Sequence, residues 1–399
     1  MARALEDIRV VDISLSAAGA WTSRLLADAG ADVILVEPQD GHPLRALAPF
    51  DAKGRSIPAA NFLANKRAVS LDLDVPRSRR YALDIIKKAD VVVSSRSPAR
   101  LAEIDMTYED LGRPSLVMAH VTAHGMTGPL AETAGNDLTS AARSGWASIN
   151  GNADREPLKP AGWASSYCAG VVAYAGVVAA LRWRDLHEGE GQEVDVAEAE
   201  VMAGAFAPAF LGAQYRGAAG RRRESADLMG GPVEVADGHF ALTLSRAHFW
   251  RDAMNVLGLA DLAEDERFGT SWYRQQHKDE YTDRVQEAMR GWQKMALFDE
   301  LAVRRVVAGP VLTMAELHGL DHLRERGFWR RPDNQQDGPD YPGPAYRMTE
   351  TPSTLDRRPP RAGEHTFNVL RTLNNVTDDH LLTLAESGVI GHRYPEDAR

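Results

Sequence analysis

Residues 8–37 read IRVVDISLSAAGAWTSRLLADAGADVILVE, and this segment sets the expected architecture. A β-branched run covers residues 8–13, and apolar residues at helical spacing follow from 17 to 29. Gly30 stands where a helix commonly ends in a left-handed residue. A second β-branched run covers 32–37. The segment therefore predicts a strand, a helix and a second strand.

The same alternation continues along the first half of the chain. Further buried strands are predicted at 68–73, 89–93, 116–121 and 192–196, with helical segments between them. Strands that alternate with helices form a parallel sheet covered on both faces. We therefore predict an α/β fold whose large domain holds a Rossmann-like parallel sheet.

The composition changes after about residue 217, where a Gly/Arg-rich loop begins. A hairpin with Asp237-Gly238 at its turn is predicted at 234–242. Charged helical segments and then a proline-rich tail follow. We predict a large domain at 1–224, a smaller α+β domain at 225–325, and a C-terminal arm and helix at 326–399 that return to the large domain.

Composition excludes several classes of function. The net charge of −10 over 399 residues argues against a nucleic-acid surface, which needs a basic face. The single cysteine excludes an intrachain disulfide and a Cys-rich metal site, and it fits the cytoplasm. The longest apolar run, 169–181, is shorter than the roughly 18 residues needed to span a bilayer, so no membrane partner is expected.

A dinucleotide site is the first alternative for such a sheet. Glu37 ends the second strand, where a ribose-binding acid would stand. The first turn, residues 14–19, reads SLSAAG and lacks the G-x-G-x-x-G spacing that admits a pyrophosphate. This turn disfavours a dehydrogenase.

Several segments point instead to a particular family. They are LLADAGADVI at 25–34, VEP and GHPLR between 36 and 45, NKRAVSLDL at 65–73, GEGQEVDV at 189–196, DERF at 265–268 and GEHT at 363–366. Their order and spacing resemble the family III CoA-transferases of the CaiB/BaiF type. The resemblance covers essentially the whole chain.

The resemblance implies both an assembly and a chemistry. Members of this family form interlocked dimers, and their N-terminal α/β domain binds CoA or acyl-CoA as a substrate, with no covalently bound cofactor and no metal. A catalytic carboxylate attacks the thioester, and a mixed anhydride and then an enzyme-bound CoA thioester follow.

Ser166 aligns with the nucleophilic Asp of that family. Asp137, the segment 145–151 and Gly170 fix the register on either side. A hydroxyl cannot form an acyl anhydride, so we assign no catalytic residue in this chain. Ser166 is interpreted as a helix N-cap; the alternative is an acylated serine, which would need a base brought to it by the fold.

Racemisation, which some members of the family catalyse, is disfavoured. Asn136 stands where those members carry a His beside the residue that corresponds to Asp137. Racemisation needs two acid/base groups, one on each face of the α-carbon. Asn136 and Ser166 would leave both missing.

The resemblance also implies a set of CoA contacts. Lys66 and Arg45 are candidates for the phosphates, and the alternative for each is a solvated loop charge. Ser97 falls at the usual basic position and Arg96 at the usual aromatic one, so the pocket is eroded or rebuilt. The predicted CoA-binding residues are Ala17, Ala18, Arg45, Ala64, Asn65, Lys66, Ser95, Arg96 and Ser97.

Other residues keep two interpretations. Gly230-Gly231 is a mobile glycine loop over the site or a plain turn, and 221–223 is a solvated basic loop or a contact for an acidic group. His124 faces the site or is structural. An aromatic group near Ser166 either favours a bulky hydrophobic acid or belongs to the core; its members are Trp146, Trp163 and Tyr167.

These observations lead to a functional hypothesis. The chain is predicted to be the non-nucleophilic subunit of a CoA-transferase that moves CoA from an acyl-CoA, such as succinyl-CoA, to an organic acid. Its partner would be an Asp-bearing paralogue in a heterodimer or heterotetramer; otherwise it forms a homodimer. The alternatives are a self-sufficient enzyme with a relocated nucleophile and a non-catalytic acyl-CoA-binding or regulatory protein.

Overall fold

The structure, a computed structural model, describes residues 2–205, 207–217, 222, 231–335, 337–344 and 346–391. The chain divides into two compact units. The larger unit comprises 1–150, 157–221 and 327–399, and the smaller comprises 151–156 and 222–326. The short piece 151–156, which joins the smaller unit, was not foreseen from the sequence.

The larger unit begins with alternating strands and helices. In chain order these are β1 (Arg9–Asp12), α1 (Ala17–Asp28), β2 (Asp32–Glu37), α2 (Ile57–Leu63), β3 (Arg67–Ser70), α3 (Pro76–Ile86), β4 (Val91–Ser94), α4 (Pro98–Glu103), α5 (Tyr108–Leu111), β5 (Val117–Thr122), α6 (Asp137–Arg143), α7 (Trp146–Ile149), α8 (Ala164–Leu186), β6 (Glu193–Ala197), α9 (Glu198–Ala205) and α10 (Ala207–Arg216). A 3₁₀ turn at Pro43–Ala46 follows β2.

The strands form one parallel six-stranded sheet in the order β3-β2-β1-β4-β5-β6. The prediction of an α/β fold with a parallel sheet is confirmed. Almost every residue of the central strands is buried, because helices cover both faces of the sheet. The order reverses between β1 and β4, and a crevice for ligands forms outside the carboxyl ends of strands at such a point.

Helix α8 is the long element of the larger unit, with 23 residues. It packs against α1, and Gly170 permits the close approach, since a Cβ there would lie 2.9 Å from the Trp21 Cβ. In the described part of the chain, α8 alone is long and apolar enough to cross a membrane by length and composition. We assign it to the core instead, because one side is buried by the sheet and α1.

The smaller unit combines an antiparallel sheet with helices. Its elements are β7 (Val233–Val235), β8 (Gly238–Thr243), α11 (Ala247–Val256), α12 (Ala260–Glu264), α13 (Ser271–Gln276), α14 (Thr282–Arg290), α15 (Lys294–Val303), β9 (Val307–Pro310), α16 (Met314–Gly319) and α17 (Asp321–Glu325), with 3₁₀ turns at Glu266–Gly269 and Lys278–Glu280. Strands β7 and β8 pair antiparallel around the predicted Asp237-Gly238 turn, and β9 joins β8.

The last segment closes the edge of the large sheet. It contains β10 (Trp329–Arg330), β11 (Tyr341–Pro342), α18 (Thr366–Asn374) and α19 (Asp378–Glu386). The Ser70 N–H of edge strand β3 donates to Thr366 Oγ1 over 2.9 Å, and Leu71 forms an antiparallel bridge with Ile390. An uncovered strand edge can pair with other chains, and the tail prevents this.

A buried ion pair ties the first turn of the sheet to the start of β3. Lys66 Nζ lies 3.1 Å from Asp12 Oδ2, and both side chains are fully buried. Asp12 also accepts hydrogen bonds from Ser14 and Ser23, and Lys66 donates to the Ala20 carbonyl. Burial lowers the pKa of Lys66, and the Asp12 carboxylate opposes that shift. Such a pair is stable only because its remaining lone pairs and protons are satisfied.

Replacing Lys66 by Met tests this pair. The change leaves the Asp12 carboxylate buried without its cation, so we expect the free energy of unfolding to fall by about 3–5 kcal/mol. Denaturant unfolding of the full chain measures it. The matched control is Lys53→Met, at an exposed lysine, which should change stability by less than about 0.5 kcal/mol. Equal stability of the two variants would contradict the assignment.

Candidate functional site

A cavity of about 970 Å³ opens at the carboxyl edge of the parallel sheet, within the larger unit. The turns that follow several strands form its walls. The lining residues include Leu15, Ser16 and Ala17 after β1, Ser95 and Ser97 after β4, Thr122 and Ala123 at the end of β5, the segment 131–138, Lys159, Trp163, Ser166 and Glu198. Its position agrees with the general rule for ligand sites on open α/β sheets.

Ser166 lies in the first turn of α8 and is only 2% exposed. Its interpretation as the helix N-cap is wrong, because the helix begins at Ala164 and Trp163 precedes it. The Ser166 N–H instead donates to Asp137 Oδ1 over 3.1 Å. The carboxylate of Asp137 thus supplies the cap from another helix, and the Ser166 hydroxyl is free to point elsewhere.

Asp137 has a partner for each of its carboxylate oxygens. Its Oδ1 caps α8, and its Oδ2 lies 2.9 Å from Lys159 Nζ. An anion at a helix N-terminus is stabilised by the helix dipole, and the lysine adds a direct charge pair. Both oxygens of this carboxylate are therefore occupied.

Glu198 brings a second carboxyl group to the same place. It is the first residue of α9, directly after β6, and is 4% exposed. Its Oε1 accepts a hydrogen bond of 2.8 Å from Ser166 Oγ. Burial raises the pKa of Glu198 to about 7; the hydroxyl of Ser166 lowers it, the charge of Asp137 raises it, and the nearby Ser140 hydroxyl lowers it again.

Glu198 is not among the residues predicted from the sequence. It is 32 residues from Ser166 along the chain, so no local pattern links the two. The chain leaves the cavity along α8 and returns along β6, which brings the two residues together. An acid directly after a predicted strand of a parallel sheet is the signal that could have found it, since such residues meet at the carboxyl edge.

This arrangement places one hydroxyl between two carboxyl groups of different character. Asp137 is paired with a cation and a helix end, whereas burial raises the pKa of Glu198 to about 7. A buried carboxyl group whose pKa is shifted in this way, in a cleft beside a hydroxyl, is typical of acid/base and nucleophilic sites.

Three of the nine predicted CoA-binding residues line the cavity, namely Ala17, Ser95 and Ser97. The other six do not, and they are Ala18, Arg45, Ala64, Asn65, Lys66 and Arg96. Lys66 is bound to Asp12 in the core, and Arg45 makes two hydrogen bonds to Glu37, of 2.8 and 2.9 Å. As placed, neither cation is a solvated loop charge, and neither faces the cavity.

Arg100 also lines the cavity, although the sequence did not single it out. It pairs with Asp74 and Glu103 at the surface. Arg100 is only four residues after Arg96, and the sequence alone does not show which of the two arginines lines the cavity.

Only some of the remaining residues singled out in the sequence line the cavity. Trp163 lines the cavity, whereas Tyr167 stacks on Phe62 with ring centroids 5.0 Å apart, and Trp146 and His124 lie outside the lining. Asn136 lines the cavity and is the N-cap of α6. Gly230, Arg221 and Arg223 fall outside the described residues. Among the described residues, no cluster of His, Cys, Asp and Glu could hold a metal ion.

Comparison with known proteins agrees with the fold and the resemblance. The chain is 31% identical over 386 residues to the succinate–glutarate CoA-transferase of Agrobacterium fabrum, covering 93% of this chain and 96% of that one. It is 32% identical over 391 residues to the succinyl-CoA:(R)-benzylsuccinate CoA-transferase subunit BbsE of Thauera aromatica, covering 93% and 94%.

A solved structure gives the same result. A CaiB/BaiF family protein from Brucella suis superposes with a TM-score of 0.85 at 27% identity, covering 94% of this chain and 100% of that one. The sequence profile described as CoA-transferase family III matches residues 5–366. The resemblance drawn from the sequence is confirmed, and the chain belongs to the family III CoA-transferases.

Proposed function

We propose that this chain moves CoA between an acyl-CoA donor, such as succinyl-CoA, and an organic acid, in the cavity at the carboxyl edge of the sheet. The observation that carries the proposal is the buried carboxyl group of Glu198, because CoA transfer through an anhydride needs a carboxylate. Glu198, Ser166 and Asp137 are the buried polar residues of the lining, and we call them the cavity floor. Relatives that span nearly the whole chain are named for succinate or succinyl-CoA as one substrate, which supports the choice of donor.

Ser166 stands, in this proposal, where other members of the family carry the nucleophilic Asp. Its place in the first turn of α8, on the cavity floor, supports that alignment. A serine ester cannot be converted into the required anhydride. The carboxylate must therefore come from a partner subunit or from another residue of this chain.

The first possibility is a heteromer with an Asp-bearing paralogue. The relative BbsE is itself named as a subunit. An exposed apolar face of α8 supports a protein partner, because large apolar faces on a chain mark protein contacts. Its exposed apolar residues are Cys168, Val171, Val172, Ala175, Val178, Ala179, Trp183 and Leu186, and the exposed Arg182 lies among them near the end of the helix. An interlocked dimer, homomeric or heteromeric, would cover this face.

The second possibility is that the chain supplies its own carboxylate, which makes it a self-sufficient transferase. One specific observation favours it: a buried carboxyl group already contacts the hydroxyl of Ser166. The sequence alone favoured the heteromer, whereas this contact favours self-sufficiency.

Activity of the purified chain tests the proposed function. The chain is incubated with succinyl-CoA and isotope-labelled succinate, glutarate or benzylsuccinate, alone and after co-expression with an Asp-bearing paralogue. We expect label in succinyl-CoA, or a new acyl-CoA, measured by liquid chromatography and mass spectrometry. Turnover only in the co-expressed complex identifies the heteromer, and turnover by the chain alone identifies self-sufficiency. No transfer under either condition would overturn the proposed function.

The pH dependence of stability tests the state of Glu198. Burial raises its pKa from the ordinary 4.5 to about 7 in the folded chain, so the folded state keeps the proton to higher pH than the unfolded state. Stability therefore falls as pH rises between these values and levels off above 7. Glu198→Gln removes this titration, and we expect its stability relative to wild type to rise by roughly 3 kcal/mol from pH 4 to pH 8.

Denaturant unfolding at several pH values measures this difference. The matched control is Glu200→Gln, an exposed glutamate of the same helix, whose profile should run parallel to that of wild type. A Glu198→Gln profile that is also parallel to wild type would show that the pKa of Glu198 is the same in the folded and unfolded states.

A further inference from the structure

We propose that Glu198 is the nucleophile of CoA transfer in this chain, and that Ser166 is the hydroxyl that holds and stabilises it. The inference rests on the proposed function, and it names the residue that supplies the carboxylate. The geometry that carries it is the 2.8 Å hydrogen bond from Ser166 Oγ to Glu198 Oε1 on the floor of the cavity.

The fold holds the Glu198 carboxyl group at the reactive edge of the sheet. Glu198 begins α9 directly after β6, and α9 packs against both α8 and α6. Its Oε1 is oriented by the hydroxyl of Ser166, and the Ser140 hydroxyl is close enough to lower the pKa of the same carboxyl group. The carboxyl group is therefore held in place by hydroxyls at the lining of the cavity, where a bound thioester would meet it.

Asp137, the other carboxylate of the floor, is a poorer candidate. Its Oδ1 caps α8 through the Ser166 N–H, and its Oδ2 pairs with Lys159. An attack by either oxygen would break the helix cap or the ion pair. Asp137 is instead suited to keep the first turn of α8, and with it the hydroxyl of Ser166, in place.

The residue types at positions 166 and 198 fit each other. With Glu198 in its observed position, an Asp at 166 would bring a second carboxylate into the space next to Oε1. Two carboxylates that close cannot both ionise. A hydroxyl at 166 removes the repulsion and adds a hydrogen-bond donor. The cavity floor therefore has one reacting carboxylate, which is carried by α9 instead of α8.

The reaction then balances with this chain's own residues. Glu198 Oε2 attacks the thioester carbonyl of the donor, the C–S bond breaks, and CoA leaves as a thiolate, which gives a mixed anhydride. The thiolate attacks Glu198 Cδ, the donor acid leaves as a carboxylate, and a glutamyl-CoA thioester remains. The acceptor carboxylate then repeats the two steps in reverse order, which releases acceptor-CoA and regenerates the carboxylate of Glu198.

Ser166 contributes where charge develops. When a thiolate or carboxylate attacks Glu198 Cδ, negative charge builds on the oxygen that becomes the tetrahedral oxyanion. A hydroxyl already 2.8 Å from Oε1 is placed to donate to that oxygen. Removing one such donor typically lowers kcat by about 10²–10³-fold.

The protonation of Glu198 is consistent with this role. Burial raises its pKa to about 7, so a useful fraction of the group is ionised at neutral pH. A more basic carboxylate is also the stronger nucleophile, since its lone pair binds a proton or a carbonyl carbon more tightly.

Trapping of the covalent intermediate tests the inference on the wild-type chain. The purified protein is mixed with succinyl-CoA, quenched, digested and mapped by mass spectrometry, with hydroxylamine or borohydride used to convert the labile adduct. We expect a CoA thioester, or its trapped product, on the peptide that contains Glu198. A succinyl ester on Ser166, or an adduct on Asp137, would overturn the inference while leaving the proposed function in place.

Matched variants give a second measurement. Glu198→Gln keeps the shape and the hydrogen bond from Ser166, and we expect it to lower kcat for succinate exchange by at least about 1,000-fold. Glu200→Gln should exchange at the wild-type rate, and thermal unfolding checks that each variant folds. A Glu198→Gln variant that exchanges succinate at the wild-type rate would also overturn the inference. Exchange that occurs only when an Asp-bearing paralogue is present would do the same.

A double variant tests whether a carboxylate at position 166 can replace the one at position 198. Ser166→Asp combined with Glu198→Ala places a single carboxylate on α8 and removes the one on α9. We expect it to exchange succinate faster than Glu198→Ala alone and to carry its adduct at position 166. Exchange no faster than that of Glu198→Ala alone would contradict a shared catalytic role of the two positions.

Discussion

The buried pair of Asp12 and Lys66 is the interaction on which the rest of the larger unit depends. It lies where β1 ends and α1 begins, beside the reversal of strand order that creates the cavity. Two charges without water are costly unless every remaining donor and acceptor is used. Ser14, Ser23 and the Ala20 carbonyl provide those partners. The β1–α1 turn is therefore held in one conformation, and that turn forms one wall of the site.

The site shows how a scaffold can keep a chemical group while changing the residue that bears it. Several loops end at the same carboxyl edge of the sheet, so side chains far apart in sequence meet within hydrogen-bonding distance. Ser166 and Glu198 come from different elements, and Asp137 fixes the first turn that carries Ser166. The chemistry of the cavity thus depends on Ser166, Glu198 and Asp137 together rather than on the residue at a single position.

Much of this fold, but less of the site, could be predicted from the sequence. The β-branched runs and their spacing predict the six parallel strands, because buried strands need little beyond apolar side chains and a helix between them. The partners of charged residues are set by tertiary contacts that no local pattern records. From the sequence, Lys66 and Arg45 are candidates for the CoA phosphates, and the structure pairs them with Asp12 and Glu37. Glu198 was missed for the same reason, since only the return of β6 brings it to Ser166.

The closure of strand β3 by residues 363–391 has a consequence for synthesis. The tail is made after the sheet, so a nascent chain carries the rest of the sheet with an open edge until residues 363–391 leave the ribosome. During that time the Ser70 and Ala68 N–H groups lack the acceptors that Thr366 and His365 provide. Parallel sheets form slowly and are prone to association while incomplete. In the interval between making β3 and covering it, the open edge can therefore pair with other chains.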